Sequence, residues 1–247
     1  MAARTTGVVA TADGSCPVVL ATPDSGGPWP AVLFYMDAGG VRPSLVDMAE
    51  RLADIGYVVA LPEFYYRHGA YAPFDTATAF GDPDERSRLF GMLTGLTKEM
   101  VASDTRALLE FLAGRLEVAG PRVGTTGYCS GGWLSLTAAA RFPERVAAAA
   151  SFHGGNLATD APDSPHRHVS SVTGRVYVVG ATDDGSFPPD QAALLEQALT
   201  EAGVEHTIET YPAAHGFAVP DMPTFDADAA ERHWRALHDL FEATLSW

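Results

Sequence analysis

The sequence contains almost no lysine and is strongly acidic, which excludes several classes of partner. Lys98 is the one lysine, and 16 basic residues stand against 31 acidic residues, giving a formal net charge of −15. No basic stripe is present that could follow a phosphate backbone or an anionic membrane surface. We therefore expect neither nucleic acid nor a membrane as a partner, and we attribute the acidity to solubility.

Cysteine and long apolar runs are scarce as well. The two cysteines are Cys16 and Cys129, and the opening "MAARTTGVVATADG" lacks the apolar core of a secretion signal. No apolar run approaches the roughly 18 residues of a membrane-spanning helix. We expect a cytoplasmic protein, in which a disulfide between the two cysteines is disfavoured. With 247 residues and 47% hydrophobic content, a sizeable core can form, and we expect one domain over residues 1–247.

What the sequence does contain is a regular alternation of strand-like and helix-like segments. Apolar runs predict buried strands at "PAVLFYMD" and "YVVALPEFY", and further strands are predicted at "RVGTTGYC", "RVAAAASFHG", "RVYVVGA" and "EHTIETYP". Helical spacing predicts helices at "PSLVDMAERLADIG", residues 98–116, "GGWLSLTAAARF", "PDQAALLEQALTEAG" and "DADAAERHWRALHDLFEATL". The alternation predicts an α/β fold with a mainly parallel central sheet and helices on both faces. Residues 5–22 predict two more strands, and the irregular residues 67–97 predict a cap or pocket wall.

One strand-to-helix turn carries a cysteine between glycines. The spacing Gly127-x-Cys129-x-Gly131 is that of a nucleophile elbow with cysteine in place of serine. In this turn the nucleophile adopts strained backbone angles, and the flanking positions come too close together for bulky side chains. The following helix directs its N-terminus at the sulfur, which favours a thiolate. The alternative is a buried structural cysteine.

Acid and base candidates follow the cysteine in the order that the elbow requires. Asp183 and Asp184 come after the predicted strand "RVYVVGA", and His215 comes after "EHTIETYP" in the short loop "AAHGF". A nucleophile, an acid and a histidine, each following a strand, are the parts of a catalytic triad. From the residues alone either aspartate could be the acid, and a solvated surface histidine is the alternative for His215.

Four segments together resemble the dienelactone hydrolase family of α/β-hydrolases over nearly the whole chain. They are "GYCSGG", "GYVVALPEFYYRHG", "DPDERSR" and "AHGF". The resemblance implies the α/β-hydrolase fold and the triad Cys129, Asp184 and His215, with Asp184 chosen because it stands four residues before Pro188. It also implies cleavage of a small-molecule ester or lactone through a thioester. No metal or organic cofactor is expected.

The resemblance assigns further roles near the nucleophile. Asp37 matches an acidic residue of the family, usually glutamate, which tunes the nucleophile; a turn or helix-cap carboxylate is the alternative. The backbone amides of Ala38 and Ser130 would form the oxyanion hole. His153 follows a predicted strand, so it lines the pocket or is a capped loop histidine.

The substrate-binding residues follow the family only in part. Arg88 matches one arginine that binds a substrate carboxylate, and Tyr128 is a further candidate for substrate binding. The second arginine is replaced by Val219, so one of the two contacts with the carboxylate of a dienelactone is missing. Arg42 and Arg67 are the candidates to replace it, and a surface arginine is the alternative for each. A non-hydrolytic binding protein on the same fold, and a thioesterase or peptidase, remain as alternative functions. The oligomeric state is not predicted.

Overall fold

The computed structural model describes residues 1–245, and the contacts between Cα atoms divide the chain into two compact units. The first unit comprises residues 1–121 and the second begins at Arg122. The expectation of a single domain over the whole chain stays a prediction. Among the helices of residues 1–245, none combines the length and apolar character that a bilayer crossing requires.

The first unit contains four strands in the order β1-β2-β4-β3. The elements are β1 (Ala3–Thr11), β2 (Gly14–Thr22), β3 (Trp29–Tyr35), α1 (Pro43–Asp54), β4 (Val58–Pro62), a 3-10 helix (Phe64–His68), α2 (Pro83–Thr94) and α3 (Lys98–Ala113). Strand β2 pairs antiparallel with β1 and β4, whereas β3 and β4 are parallel. Every residue of β4 is buried, as the continuous apolar run predicts.

Residues 67–97, predicted to be irregular, contain helix α2. The Asp82 carboxylate accepts hydrogen bonds from the amides of Asp84 and Glu85, and Pro83 occupies the first turn. This is a strong helix start. Only Leu89 and Met92 are buried along the helix, so the apolar periodicity that would have indicated it is weak.

The second unit contains parallel strands in the order β5-β6-β7-β8. Its elements are the greater part of β5 (Val118–Tyr128), α4 (Ser130–Arg141), β6 (Val146–Phe152), a 3-10 helix (Pro165–Ser171), β7 (Arg175–Asp183), α5 (Pro189–Glu201), β8 (His206–Ala214) and α6 (Ala227–Leu245). Because the strands are parallel, their carboxyl ends lie at one edge of the sheet. In open α/β sheets this is the edge at which ligands bind.

Candidate active site

Each of the four parallel strands of the second unit is followed immediately by a side chain capable of acid, base or nucleophilic chemistry. Cys129 follows β5, His153 follows β6, Asp184 follows β7 and His215 follows β8. The strand edge therefore brings together four residues that are far apart in the sequence. Three of them are the nucleophile, acid and base predicted from the sequence.

The turn at Cys129 has the strained geometry predicted for an elbow. Cys129 has φ 54° and ψ −119°, a conformation that side-chain-bearing residues rarely adopt. A Cβ atom on Gly127 would lie 1.9 Å from the carbonyl oxygen of Gly131. Only glycine fits at position 127, because the strand end and the first helical turn are in contact there. The predicted steric reason for glycine at this position is confirmed.

The histidine and one of the two aspartates form a hydrogen-bonded pair. His215 Nδ1 donates to Asp184 Oδ2 at 2.8 Å, and the Asp184 carboxylate is buried. The Asp183 side chain is exposed, and this residue instead accepts the backbone N–H of His215 at its carbonyl oxygen, 2.9 Å away. Of the two aspartates, Asp184 is thus the one whose carboxylate faces the imidazole.

The charges of this pair are set by its surroundings. Burial by itself lowers the pKa of His215, but the hydrogen bonds to Asp184 and to Cys129, together with their charges, raise it to about 10. Burial opposes ionisation of Asp184, yet hydrogen bonding to His215 and Ser186 keeps the pKa of the carboxyl below its ordinary value. At neutral pH His215 therefore carries a proton between a carboxylate and the sulfur.

A residue that the sequence analysis did not identify supports the acid. The backbone N–H and the hydroxyl of Ser186 both donate to Asp184 Oδ1, at 2.8 Å and 2.6 Å. These bonds occupy one carboxylate oxygen and leave the other for His215. The signal for this arrangement is present in the sequence "DGS", because an aspartate two residues before a serine commonly forms an Asx turn.

In the first unit, Asp37 and Ala38 lie in the segment between β3 and α1. Asp37 forms a bidentate ion pair with Arg42, with N–O distances of 2.6 Å and 2.9 Å, and also accepts the amide of Gly39 at 2.8 Å. Both partners of the ion pair are buried. The Ala38 carbonyl accepts the Tyr65 hydroxyl at 3.0 Å. The contact with Gly39 is the turn-carboxylate alternative raised from the sequence, and the tuning of the nucleophile by Asp37 stays a prediction.

Ser130 is the first residue of α4 and directly follows the nucleophile candidate. This is the position from which a backbone amide contributes to an oxyanion hole in an elbow. The roles of the Ser130 and Ala38 amides stay predictions.

The arginine predicted to bind a substrate carboxylate already has partners within its own unit. Arg88 donates to both carboxylate oxygens of Glu85, at 3.1 Å and 2.7 Å, and to the carbonyl of Ala72 at 2.9 Å. Its guanidinium also lies 3.8 Å from the centroid of the Phe74 ring. The role of Arg88 in substrate binding stays a prediction.

The two possible substitutes for the missing arginine also have acidic partners. Arg42 binds Asp37, and Arg67 forms ion pairs with Asp13 and Asp104 at 2.7 Å and 2.8 Å. Val219, at the position of the second family arginine, is fully buried.

Tyr128 is predicted from the sequence to bind substrate, which requires an accessible side chain, but the structure encloses it. Its side chain is fully buried, its hydroxyl lies 3.0 Å from His233 Nε2, and its ring stacks on Phe152. A phenol enclosed in this way cannot contact a substrate without rearrangement. The expectation that Tyr128 binds substrate is therefore corrected: the residue packs beneath the site.

Cys16 and Cys129 are both free thiols in the structure. Cys16 is fully buried, and this burial raises the pKa of its thiol to about 12. Cys129 is only partly buried. Its thiol is thus the one accessible to a reagent or a substrate.

A strained elbow, an aspartate and a histidine, each at the end of a parallel strand of one sheet, define the α/β-hydrolase class. Comparison with known proteins gives the family. The model of the dienelactone hydrolase family matches residues 16–245, and the chain belongs to this family. The family and its curated relatives define the enzyme class, a carboxylic ester hydrolase.

The relatives and structural neighbours agree with this assignment. A Synechocystis protein named "Putative carboxymethylenebutenolidase" is 30% identical over 230 residues, which cover 92% of this chain and 91% of that protein. A structure from Klebsiella pneumoniae, described as "Putative Dienelactone Hydrolase", superposes with a TM-score of 0.85 at 24% identity, covering 98% and 99% of the two chains. The fold extends to an acylaminoacyl peptidase from Pyrococcus horikoshii, with TM-score 0.72, 16% identity and coverage of 99% and 42%. The predicted α/β-hydrolase fold is confirmed.

Proposed function

We propose that this hydrolase cleaves an ester or lactone bond through a thioester on Cys129, with His215 as acid and base and Asp184 as the residue that orients it. The observation that supports the proposal most strongly is the hydrogen bond between His215 and the buried Asp184 carboxylate, at the same edge of the sheet as Cys129. The strained conformation of Cys129 supports it independently. We further propose that the protein acts in the cytoplasm, on a small molecule and without a cofactor.

The reaction begins with the pair of a Cys129 thiolate and a protonated His215. The sulfur adds to the carbonyl carbon, and the negative charge that develops on the oxygen is stabilised by backbone amides, of which Ser130 supplies one. When the intermediate collapses, the C–O bond breaks and His215 gives its proton to the departing alkoxide. The neutral imidazole then takes a proton from water, the resulting hydroxide adds to the thioester, and the acid leaves as the thiolate is restored.

Two kinds of substrate are open to this mechanism, and we propose that uncharged esters are hydrolysed at least as well as anionic dienelactones. A carboxylate-bearing lactone would require a guanidinium to bind it. Arg88 is bonded to Glu85, and valine stands at the position of the second family arginine. The name of the Synechocystis relative refers to the lactone substrate, so the lactone stays the second candidate.

The test compares p-nitrophenyl acetate with a cis-dienelactone, using wild type, Cys129→Ser and Cys129→Ala. We expect wild type to hydrolyse the simple ester and both variants to lose at least about a hundredfold in kcat. Alanine has no nucleophile, and the hydroxyl of serine ionises far less readily than a thiol. Trapping of a thioester with hydroxylamine would identify the intermediate. Full esterase activity in Cys129→Ala would refute the mechanism, and hydrolysis of the lactone alone would reverse the proposed substrate preference.

A further inference from the structure

His153 has a backbone conformation as unusual as that of the nucleophile. Its φ is 40°, in the left-handed region, and its own N–H donates to the carbonyl of Val179 at 2.7 Å. In the part of the chain that the structure describes, the other residues besides glycine with positive φ are Cys129 and Asn156. Such conformations are unfavourable and persist where surrounding contacts enforce them, commonly at functional sites.

The His153 side chain makes a specific contact with the nucleophile. The backbone N–H of Cys129 donates to His153 Nδ1 at 3.2 Å and shares this donor with the carbonyl of Phe152, also at 3.2 Å. A ring nitrogen that accepts a hydrogen bond carries no proton. His153 must therefore be neutral, with its proton on Nε2.

The same ring contacts the base. The centroid of the His153 ring lies 5.1 Å from that of His215, in an edge-to-face arrangement, and 5.1 Å from that of Phe217. Only 1% of His153 is exposed. One side chain thus touches both the backbone of Cys129 and the imidazole that exchanges protons with its sulfur.

Packing alone does not explain a histidine at this position. His153 Nε2 is buried and has no hydrogen-bond partner among residues 1–245. An unpartnered buried donor is unfavourable, and a phenylalanine ring would fill similar space without this cost. Phenylalanine would lack the hydrogen-bond acceptor Nδ1. This is the atom to which the backbone N–H of Cys129 donates.

The charges around the ring agree with a neutral His153. The titratable side chains that surround it are Tyr128, Asp184, His215 and His233. Burial lowers the pKa of His153 well below its ordinary value, and the two neighbouring histidines lower it further. Protonation would remove the acceptor for Cys129 and would place a second cation beside His215.

We propose that His153 is a positioning residue that fixes the backbone of the nucleophile beside the base, through the hydrogen bond from the Cys129 amide to Nδ1. The proposal rests on the proposed function, because it assigns Cys129 and His215 their roles. It adds a fourth residue to the site, one on each of the four parallel strand ends.

The test separates the acceptor from the ring with two variants. His153→Asn keeps an acceptor near the position of Nδ1 and tolerates a left-handed backbone, whereas His153→Phe keeps a ring and lacks the acceptor. The readouts are kcat and KM for p-nitrophenyl acetate and the rate of alkylation of Cys129 by iodoacetamide. Alkylation is independent of turnover, so it tests His153 even if the proposed hydrolysis fails.

We expect His153→Phe to lose about tenfold in both kcat and alkylation rate at pH 7 with KM little changed, the effect of losing one hydrogen bond. His153→Asn should stay within about threefold of wild type. Wild-type rates in His153→Phe, or equal losses in both variants, would overturn the proposal.

A measurement on the unaltered protein covers the case in which a variant does not fold. Nitrogen-15 NMR of histidine-labelled wild type should show His153 neutral with its proton on Nε2 throughout pH 5 to 9. A proton on Nδ1, or titration of His153 within this range, would also overturn the proposal.

Discussion

Replacing Asp184 with asparagine tests the pair at the centre of the site, and its neighbour supplies a matched control. In Asp184→Asn the amide oxygen can still accept from Ser186, but the NH₂ group faces His215 Nδ1. The imidazole must then accept at Nδ1 and carry its proton on the opposite nitrogen, the wrong tautomer for a base toward the sulfur. Asp183→Asn alters an exposed carboxylate next to the same position and leaves the pair intact.

The expected magnitude follows from the protonation of His215. Burial favours the neutral ring, yet Asp184 and Cys129 raise the pKa of His215 from 6.5 to about 10. At about 1.4 kcal/mol per pKa unit this is roughly 5 kcal/mol of stabilisation of the imidazolium. Assigning about half of it to the carboxylate predicts a loss of roughly 2–3 kcal/mol. We therefore expect Asp184→Asn to slow acylation about a hundredfold, and Asp183→Asn less than about threefold.

The assay is the pre-steady-state release of p-nitrophenol, which reports acylation separately from hydrolysis of the thioester. Thermal unfolding of both variants checks that the fold is retained. A loss smaller than about fivefold in Asp184→Asn would show that the carboxylate does not support the base. Equal losses of acylation rate in the two variants would show that acylation depends on the conformation of the loop and not on the hydrogen bond from His215 to Asp184.

Three further results are expected. Gly127→Ala should prevent the elbow from forming and lower the melting temperature by more than about 10 °C. The control Gly91→Ala, in the last turn of α2 where an added Cβ meets no atom within 4 Å, should leave the free energy of unfolding unchanged or raise it by up to about 1 kcal/mol. The His215 imidazolium should keep its proton up to about pH 9 and lose it as the pH rises through about 10, which nitrogen-15 NMR of the ring measures; titration of His215 near pH 6.5 would contradict this. Arg42→Met should lower the free energy of unfolding by about 3–5 kcal/mol, since it leaves the buried Asp37 carboxylate unpaired, and denaturant unfolding measures this.

Much of the fold can be predicted from the sequence because buried parallel strands and amphipathic helices have different periods. The segments predicted to be strands correspond to β3 through β8, and the helical spacing corresponds to α1 and α3 through α6. Helix α2 is missed by periodicity because it buries only two residues, although Asp82 and Pro83 indicate its start. Apolar periodicity in a sequence indicates a helix that packs against a core. A helix with little core contact must instead be predicted from its capping residues.

The candidate site can be predicted in part for a related reason. Cys129, Asp184 and His215 each follow a strand, and a parallel sheet brings strand ends together whatever their separation in sequence. The choice between Asp183 and Asp184 depends on which side chain points inward, and residue types alone do not determine this. The contact between His153 Nδ1 and the Cys129 amide depends likewise on a ring orientation that no spacing encodes.

If Arg88 or Arg42 is to bind a substrate carboxylate, as the family resemblance predicts for Arg88, it must first exchange its present partner. The ion pair of Arg88 with Glu85 is partly exposed, and such pairs contribute roughly 0–1 kcal/mol. Breaking the pair of Arg88 with Glu85 costs little free energy. A substrate carboxylate would then take the place of the Glu85 carboxylate on the same guanidinium, so the net gain in binding free energy is small. The pair of Arg42 with Asp37 is buried and too costly to break. Anionic and neutral substrates with the same leaving group should therefore differ in kcat/KM by less than about tenfold. A preference of a hundredfold or more for the anion would require a cation that neither pair provides.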